Sequence, residues 1–159
     1  MTDQTGNAWP ALLDAQGRIA DRLDRDLIDQ ADITLAEFEV LDHLAGSAEH
    51  TVRMNELAEH VRLSPSGLTR RFDTLVRRGW VTREPCDDDR RGINARLTTD
   101  GLAKHALAVG VHDAGVSTYM LDNLDEHEAE CLTRVLGRLG ELNTIKRGAR
   151  VTEGATASG

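Results

Sequence analysis

Residues 64–79, SPSGLTRRFDTLVRRG, constrain the fold of this chain more than any other stretch. They read as one helix. Ser64 suits the N-cap, where a hydroxyl takes a backbone N–H left over in the first turn. Pro65 suits the first helical position, and Gly79 suits the left-handed residue that ends a helix. Leu68, Phe72, Leu75 and Val76 fall on one face. Arg70 lies nearly opposite that stripe, with Ser66, Asp73, Thr74 and Arg77 beside it and Gly67, Thr69 and Arg71 on the shoulders. The buried side is narrow, and the outer side opens with small and hydroxyl residues before turning basic. This order suits a helix that enters a DNA groove. Small residues admit the backbone, the first-turn N–H groups and the positive end of the helix dipole face phosphates, and an arginine can take both acceptors of a guanine. The alternative is a solvated basic face on an ordinary surface helix, and the segments on both sides weigh against it.

The charge distribution supports the same reading, although the net charge of −8 at first argues against a nucleic-acid partner. Residues 1–50 carry 3 basic and 11 acidic residues, residues 51–98 carry 10 and 7, and residues 99–159 carry 6 and 9. The middle block is thus the basic one, and its basic residues are all arginines, which suit phosphate and guanine better than lysine does. The local field of a contacting face matters here more than the total. The hydrophobic fraction of 40% and charged fraction of 29% describe a folded chain. No apolar run nears the ~20 residues a bilayer requires, and MTDQTGNAW has no signal-peptide pattern, so a cytoplasmic protein without a membrane partner is expected.

In chain order, residues 1–8 are expected to be disordered, and an amphipathic helix follows from Trp9 to Asp29. Thr34 and Glu37 form a capping-box pattern at the start of a second helix, which Gly46 can end. RMNELAEHV, 53–61, predicts a third helix, with Met54, Leu57, Ala58 and Val61 inward, and residues 62–64 a tight turn. The third and fourth helices make a helix-turn-helix, with Arg53 placed to reach a phosphate. WVTREP, 80–85, predicts a strand. CDDDRRG, 86–92, predicts a charged loop. INARLT, 93–98, alternates with period two and predicts a second strand that buries Ile93, Ala95 and Leu97. A helix-turn-helix followed by such a hairpin is a winged helix. Carboxylates beside Arg90 and Arg91 can hold a guanidinium aimed at a narrow minor groove. Thr98 or Thr99 then caps a helix reaching Asn123, in which Gly110 and Gly115 permit close approach or a kink. A last helix runs from Asp125 to Lys146 with an apolar stripe of Leu132, Val135, Leu136, Leu139 and Leu142. Residues 148–159 are small and polar, and a disordered tail is expected.

RMNELAEHVRLSPSGLTRRFDTLVRRGWV and DDDRRGINARLTTDG, in this order of elements, resemble the MarR family of bacterial transcriptional regulators. The likeness covers residues 9–147. It implies a mainly α fold with a small β-hairpin wing: a winged helix-turn-helix at 34–98, flanked by dimerisation helices at 9–30 and 99–147. It further implies a homodimer on palindromic double-stranded DNA, usually as a repressor. Ser64, Ser66, Thr69, Arg70 and Arg71 then lie on the recognition helix, with Arg77 further along its outer side. Asp89 and Arg91 match the D-x-R at the wing tip, with Arg90 between them, and Thr98 and Gly101 match a structural LTxxG. A dimer also has a reason in the residues themselves, because long apolar stripes at the chain ends must be buried somewhere.

Members of the family often release DNA when a small anionic or aromatic effector binds. Trp9, Arg18, Arg22, Phe38 and His43 are the candidate lining of such a pocket, with core packing and a solvated face as the alternative. Cys86 beside the wing arginines leaves a redox-responsive variant open, and His43, His105 and His112 a metal-responsive one. No cofactor is expected. An enzyme is not expected either, because the chain has no GxGxxG, P-loop or GxSxG. A winged helix that binds protein instead of DNA would have little use for Arg70 and Arg91 on one side.

Overall fold

The computed structural model describes residues 7–61, 65–86 and 89–143, with the backbone alone at 65 and 89–91. The expected Ser64 cap, the 62–64 turn, positions 87 and 88 and the 148–159 tail therefore lie outside the described residues. The described chain divides after Asn123 into two compact units.

The first unit opens with α1, Ala8–Ala31, whose inner side buries Leu23, Leu27 and Ala31. It ends at Asp32 in the left-handed conformation, φ 47°, where the chain turns into α2, Leu35–Ala45. The predicted capping box is present. Thr34 Oγ1 accepts from the Glu37 amide at 3.2 Å, and Glu37 Oε2 accepts from the Thr34 amide at 3.0 Å. These bonds explain how Glu37 can be buried. Asp24 of α1 accepts from the Leu35 amide at 2.7 Å, which joins the two helices at a second point.

A three-residue strand β1, Thr51–Arg53, leads into α3, Met54–His60. Then come α4, Pro65–Arg77, and strands β2, Val81–Cys86, and β3, Asp89–Leu97. The antiparallel sheet has the order β1-β3-β2. The hairpin is longer than the sequence suggests. β3 begins at Asp89 rather than Ile93, so much of the expected loop is strand, and pairing shifts register between Pro85 and Cys86. β1, which the sequence reading missed, covers the other edge of β3 only from Asn94 to Arg96. Ile93 lies beyond that cover and is 47% exposed, against the expectation that it is buried with Ala95 and Leu97.

Helix α5, Thr99–Tyr119, is shorter than expected, and a separate 3-10 turn covers Leu121–Asn123. Gly115 is a true close approach. A Cβ there would lie 2.6 Å from Leu23 Cδ2 of α1, whereas Gly110 has open space around it. The core of this unit gathers Leu27, Ile33, Phe38, Val40, Leu41, Leu44, Leu57, Leu68, Phe72, Leu75, Val81, Ala95 and Leu97.

The second unit contains α6, Glu126–Leu142, with a capping box between Asp125 and Glu128. On it Leu132 and Val135 are half-buried, and Leu136, Leu139 and Leu142 are exposed.

Candidate nucleic-acid interface

Helix α4 is built as its sequence implies. Leu68, Phe72 and Leu75 are almost wholly buried and Val76 packs against the core, while Ser66, Thr69, Arg70 and Arg77 are exposed. Gly79 takes the left-handed conformation, φ 75°. The Gly79 amide bonds to the Val76 carbonyl and the Trp80 amide to the Leu75 carbonyl, which closes the helix. Arg77 Nη2 donates to Thr74 Oγ1 at 2.9 Å. Arg70, four residues before Thr74, is the exposed guanidinium nearest the middle of the outer side.

The turn after α4 is fastened from three directions. Thr98 Oγ1 donates to the Gly79 carbonyl at 2.7 Å and accepts from the Gly101 amide at 3.0 Å. The Thr98 amide donates to the Trp80 carbonyl at 3.0 Å. Arg78 and Lys104 stand over the Trp80 ring, 4.8 and 4.9 Å from its centre. Each also donates to a carbonyl at the end of α1, Arg78 to Asp32 at 2.6 Å and Lys104 to Ala31 at 2.8 Å. At Gly101 a Cβ would collide with the Trp80 carbonyl oxygen, which is why the LTxxG glycine is structural.

The other expected contacts are spread around this frame. Arg53 closes β1, precedes α3 and is exposed. Asp89, Arg90 and Arg91 lie in the first residues of β3, and their side chains fall outside the described atoms. Arg71 is placed differently from Arg70. It is half-buried and its Nη1 is sealed from solvent without a partner, although both arginines line the cleft with Asp24, Thr34 and Glu37 at the α1–α2 joint. The sequence reading overlooked Arg83, which pairs with Asp73. The turn at Gly79 reverses the chain and brings positions six before and four after it together.

The five residues expected to line an effector pocket are not brought together. Trp9 is 67% exposed near the start of α1. Arg18 pairs with Asp14 at 2.8 Å, and Arg22 lies over the Tyr119 ring. Both arginines line a groove of about 330 Å³ with Ile19, Thr118 and Asn123. Phe38 and His43 line a different cavity, of about 620 Å³, with Asp42, His60, Val109 and His112. In it His43 stacks on His60, ring centres 4.1 Å apart, and His112 stacks on Phe38, which also meets His105 outside the cavity lining. Burial lowers the His43 pKa, and the neighbouring His60 lowers it further. His105 and His112 are taken by Asp42 and Asp113, at 2.9 and 3.0 Å. The histidines therefore do not converge as ligands, and no His, Cys, Asp or Glu group among the described residues is arranged to hold a metal. Cys86 and Cys131 are both free and half-buried. No helix among the described residues is long and apolar enough to cross a membrane.

A family model described as the MarR family matches residues 31–92, which run from the end of α1 through the helix-turn-helix into the wing. Among curated proteins, the chain is 39% identical over 83 residues to the multiple antibiotic resistance protein MarR of Escherichia coli, covering 52% of this chain and 56% of that protein. It is 30% identical over 105 residues to the HTH-type transcriptional repressor YetL of Bacillus subtilis, covering 66% of this chain and 62% of that protein. The chain thus spans less than two thirds of the length of either relative. Among solved structures, Sco3205 of Streptomyces coelicolor, a MarR family transcriptional regulator in complex with DNA, superposes with a TM-score of 0.84 at 27% identity, over 92% of this chain and 91% of that one. The matched segment, the winged-helix architecture and these relatives all point to the MarR family, which the chain resembles from the end of α1 into the wing.

Proposed function

We propose that this protein is a sequence-specific DNA-binding transcriptional regulator, acting in the cytoplasm as a homodimer on a palindromic operator, most often to repress. The observation that carries this reading is α4, whose exposed side presents Ser66, Thr69 and Arg70 while Leu68, Phe72 and Leu75 anchor the opposite side. Related proteins are named as repressors, and one is seen in complex with DNA. In this reading α4 enters the major groove, Arg70 reads a base and Arg77 and Arg53 meet phosphates. The wing carries Arg90 and Arg91, with Asp89 beside them, toward the minor groove. Arg71 braces α4 against the α1–α2 joint.

A dimer is supported by apolar side chains left in solvent, among them Trp9, Leu12 and Leu13 on α1 and Leu136, Leu139 and Leu142 on α6. Such faces call for a partner surface, and a second copy is the symmetric solution. An effector is supported by the cavity around Phe38. Its rings suit an aromatic molecule, whereas an anionic group is better served by the Arg18 and Arg22 groove.

The test is a binding titration on a selected duplex and on random DNA. Arg70→Ala is expected to cost ~1–3 kcal/mol on the selected site and to relax preference at one or two base pairs per half-site. Arg91→Ala is expected to weaken binding to most sequences alike. Equal loss on both DNAs for Arg70→Ala would contradict its base-reading role.

A further inference from the structure

Asp73 places a carboxylate on the outer side of α4, three residues from Arg70, where a phosphate backbone is to approach. That charge works against DNA binding unless something cancels it. Arg83 does so from the wing. Its Nη2 donates to Asp73 Oδ1 at 2.5 Å, and its guanidinium lies 5.1 Å from the centre of the Phe72 ring. One strand residue is therefore held by two consecutive residues of α4. The register accounts for this reach. Val81 pairs with Leu97 and Arg83 with Ala95, so Arg83 continues the core-facing side of β2 just where the hairpin leaves the body. Glu84 and Arg96, by contrast, form a cross-strand ion pair at 3.0 Å within the wing. The Asp73 and Arg83 side chains are 43% and 35% exposed. A pair this open adds little to folding stability, so its main effect belongs to what the face binds.

We infer that Arg83 is a positioning residue for DNA binding, acting through Asp73. It neutralises the carboxylate on the recognition helix and fastens the wing to that helix. This rests on the DNA-binding reading above.

The test measures affinity of the full chain for a duplex recovered by selection from random sequences, together with melting temperature. Arg83→Ala is expected to leave melting nearly unchanged and to weaken binding about tenfold, because the exposed Asp73 charge then faces phosphates. Adding Asp73→Asn to Arg83→Ala is expected to restore affinity to within about threefold of the wild type. A direct phosphate contact by Arg83 predicts the reverse: no rescue, and a salt dependence shallower by about one unit per protomer. Absence of rescue while the wild type binds normally overturns the role given to Arg83 and leaves the DNA-binding reading standing. Failure of the wild type to bind any duplex overturns both.

Discussion

The turn around Trp80 and the cavity around Phe38 belong to the same unit, yet they are built in opposite ways. At Trp80 the end of α4, the start of α5 and the end of α1 are joined by side-chain hydrogen bonds, two cations stand over one ring, and Gly101 leaves no room for a Cβ. At Phe38 a cavity of about 620 Å³ opens among the helices, lined by imidazoles stacked on one another and on Phe38. The first arrangement fixes the angle between recognition helix and body. The second leaves α2 and α3 in contact through the stacked His43 and His60 rings. On the proposed function, the face that matches DNA needs the first, and a point where an effector alters binding needs the second.

The strongest way to break this contrast is Gly101→Ala. Its Cβ would meet backbone rather than the yielding end of a side chain, so a loss of about 3 kcal/mol is expected in denaturant unfolding. Gly110→Ala on the same helix meets nothing and is expected to be neutral or to stabilise by up to ~1 kcal/mol. A similar loss at both positions would mean that the Trp80 turn is not specially tight.

The Phe38 side is sharpened by pH. Because the His43 pKa lies below 6.5 in the folded chain, the unfolded chain binds the extra proton as pH falls through that value. Stability is therefore expected to decline below about pH 6.5, and to level off once pH lies below the folded-state value as well. Denaturant midpoints read from about pH 7.5 down to about pH 5 would register this, and His43→Gln is expected to flatten part of the decline. An unchanged slope in that variant would remove His43 from the account. The smallest expected loss is that of Gly115→Ala. Its Cβ would press on Leu23 Cδ2, a methyl that can turn aside, and would meet the Tyr119 ring only at ordinary contact distance, so a loss of about 1 kcal/mol or less is expected.

What could be read from the residues alone follows the same division. The α4 stripe, the Gly79 stop, the Thr34–Glu37 box and the LTxxG contact are set by neighbours in sequence or by backbone conformation. Periodicity and capping rules reach them directly. β1 is only three residues long and too short to show a period, and the alternation of β3 gives the face of Ile93 but not where along the strand burial stops. The rings around Phe38 come from three separate helices, so their spacing along the chain carries no sign of stacking. His105 and His112 could be placed on one face of α5, but not the Phe38 ring that both meet. Residue type groups Arg18 and Arg22 with Phe38 and His43, whereas the structure puts them in another groove. The Asp73–Arg83 pair was within reach, since a left-handed stop between a helix and a strand folds one back on the other.

The central claim is that α4 and the wing of two copies read one palindrome. Selection of purified protein against pooled random duplexes, sequenced at two salt concentrations, tests it most directly. The account predicts an enriched palindrome whose half-sites lie ~10 bp apart, one DNA turn, with affinity that falls as salt rises. Enrichment of a single unpaired half-site, or of no sequence at either salt concentration, would contradict it.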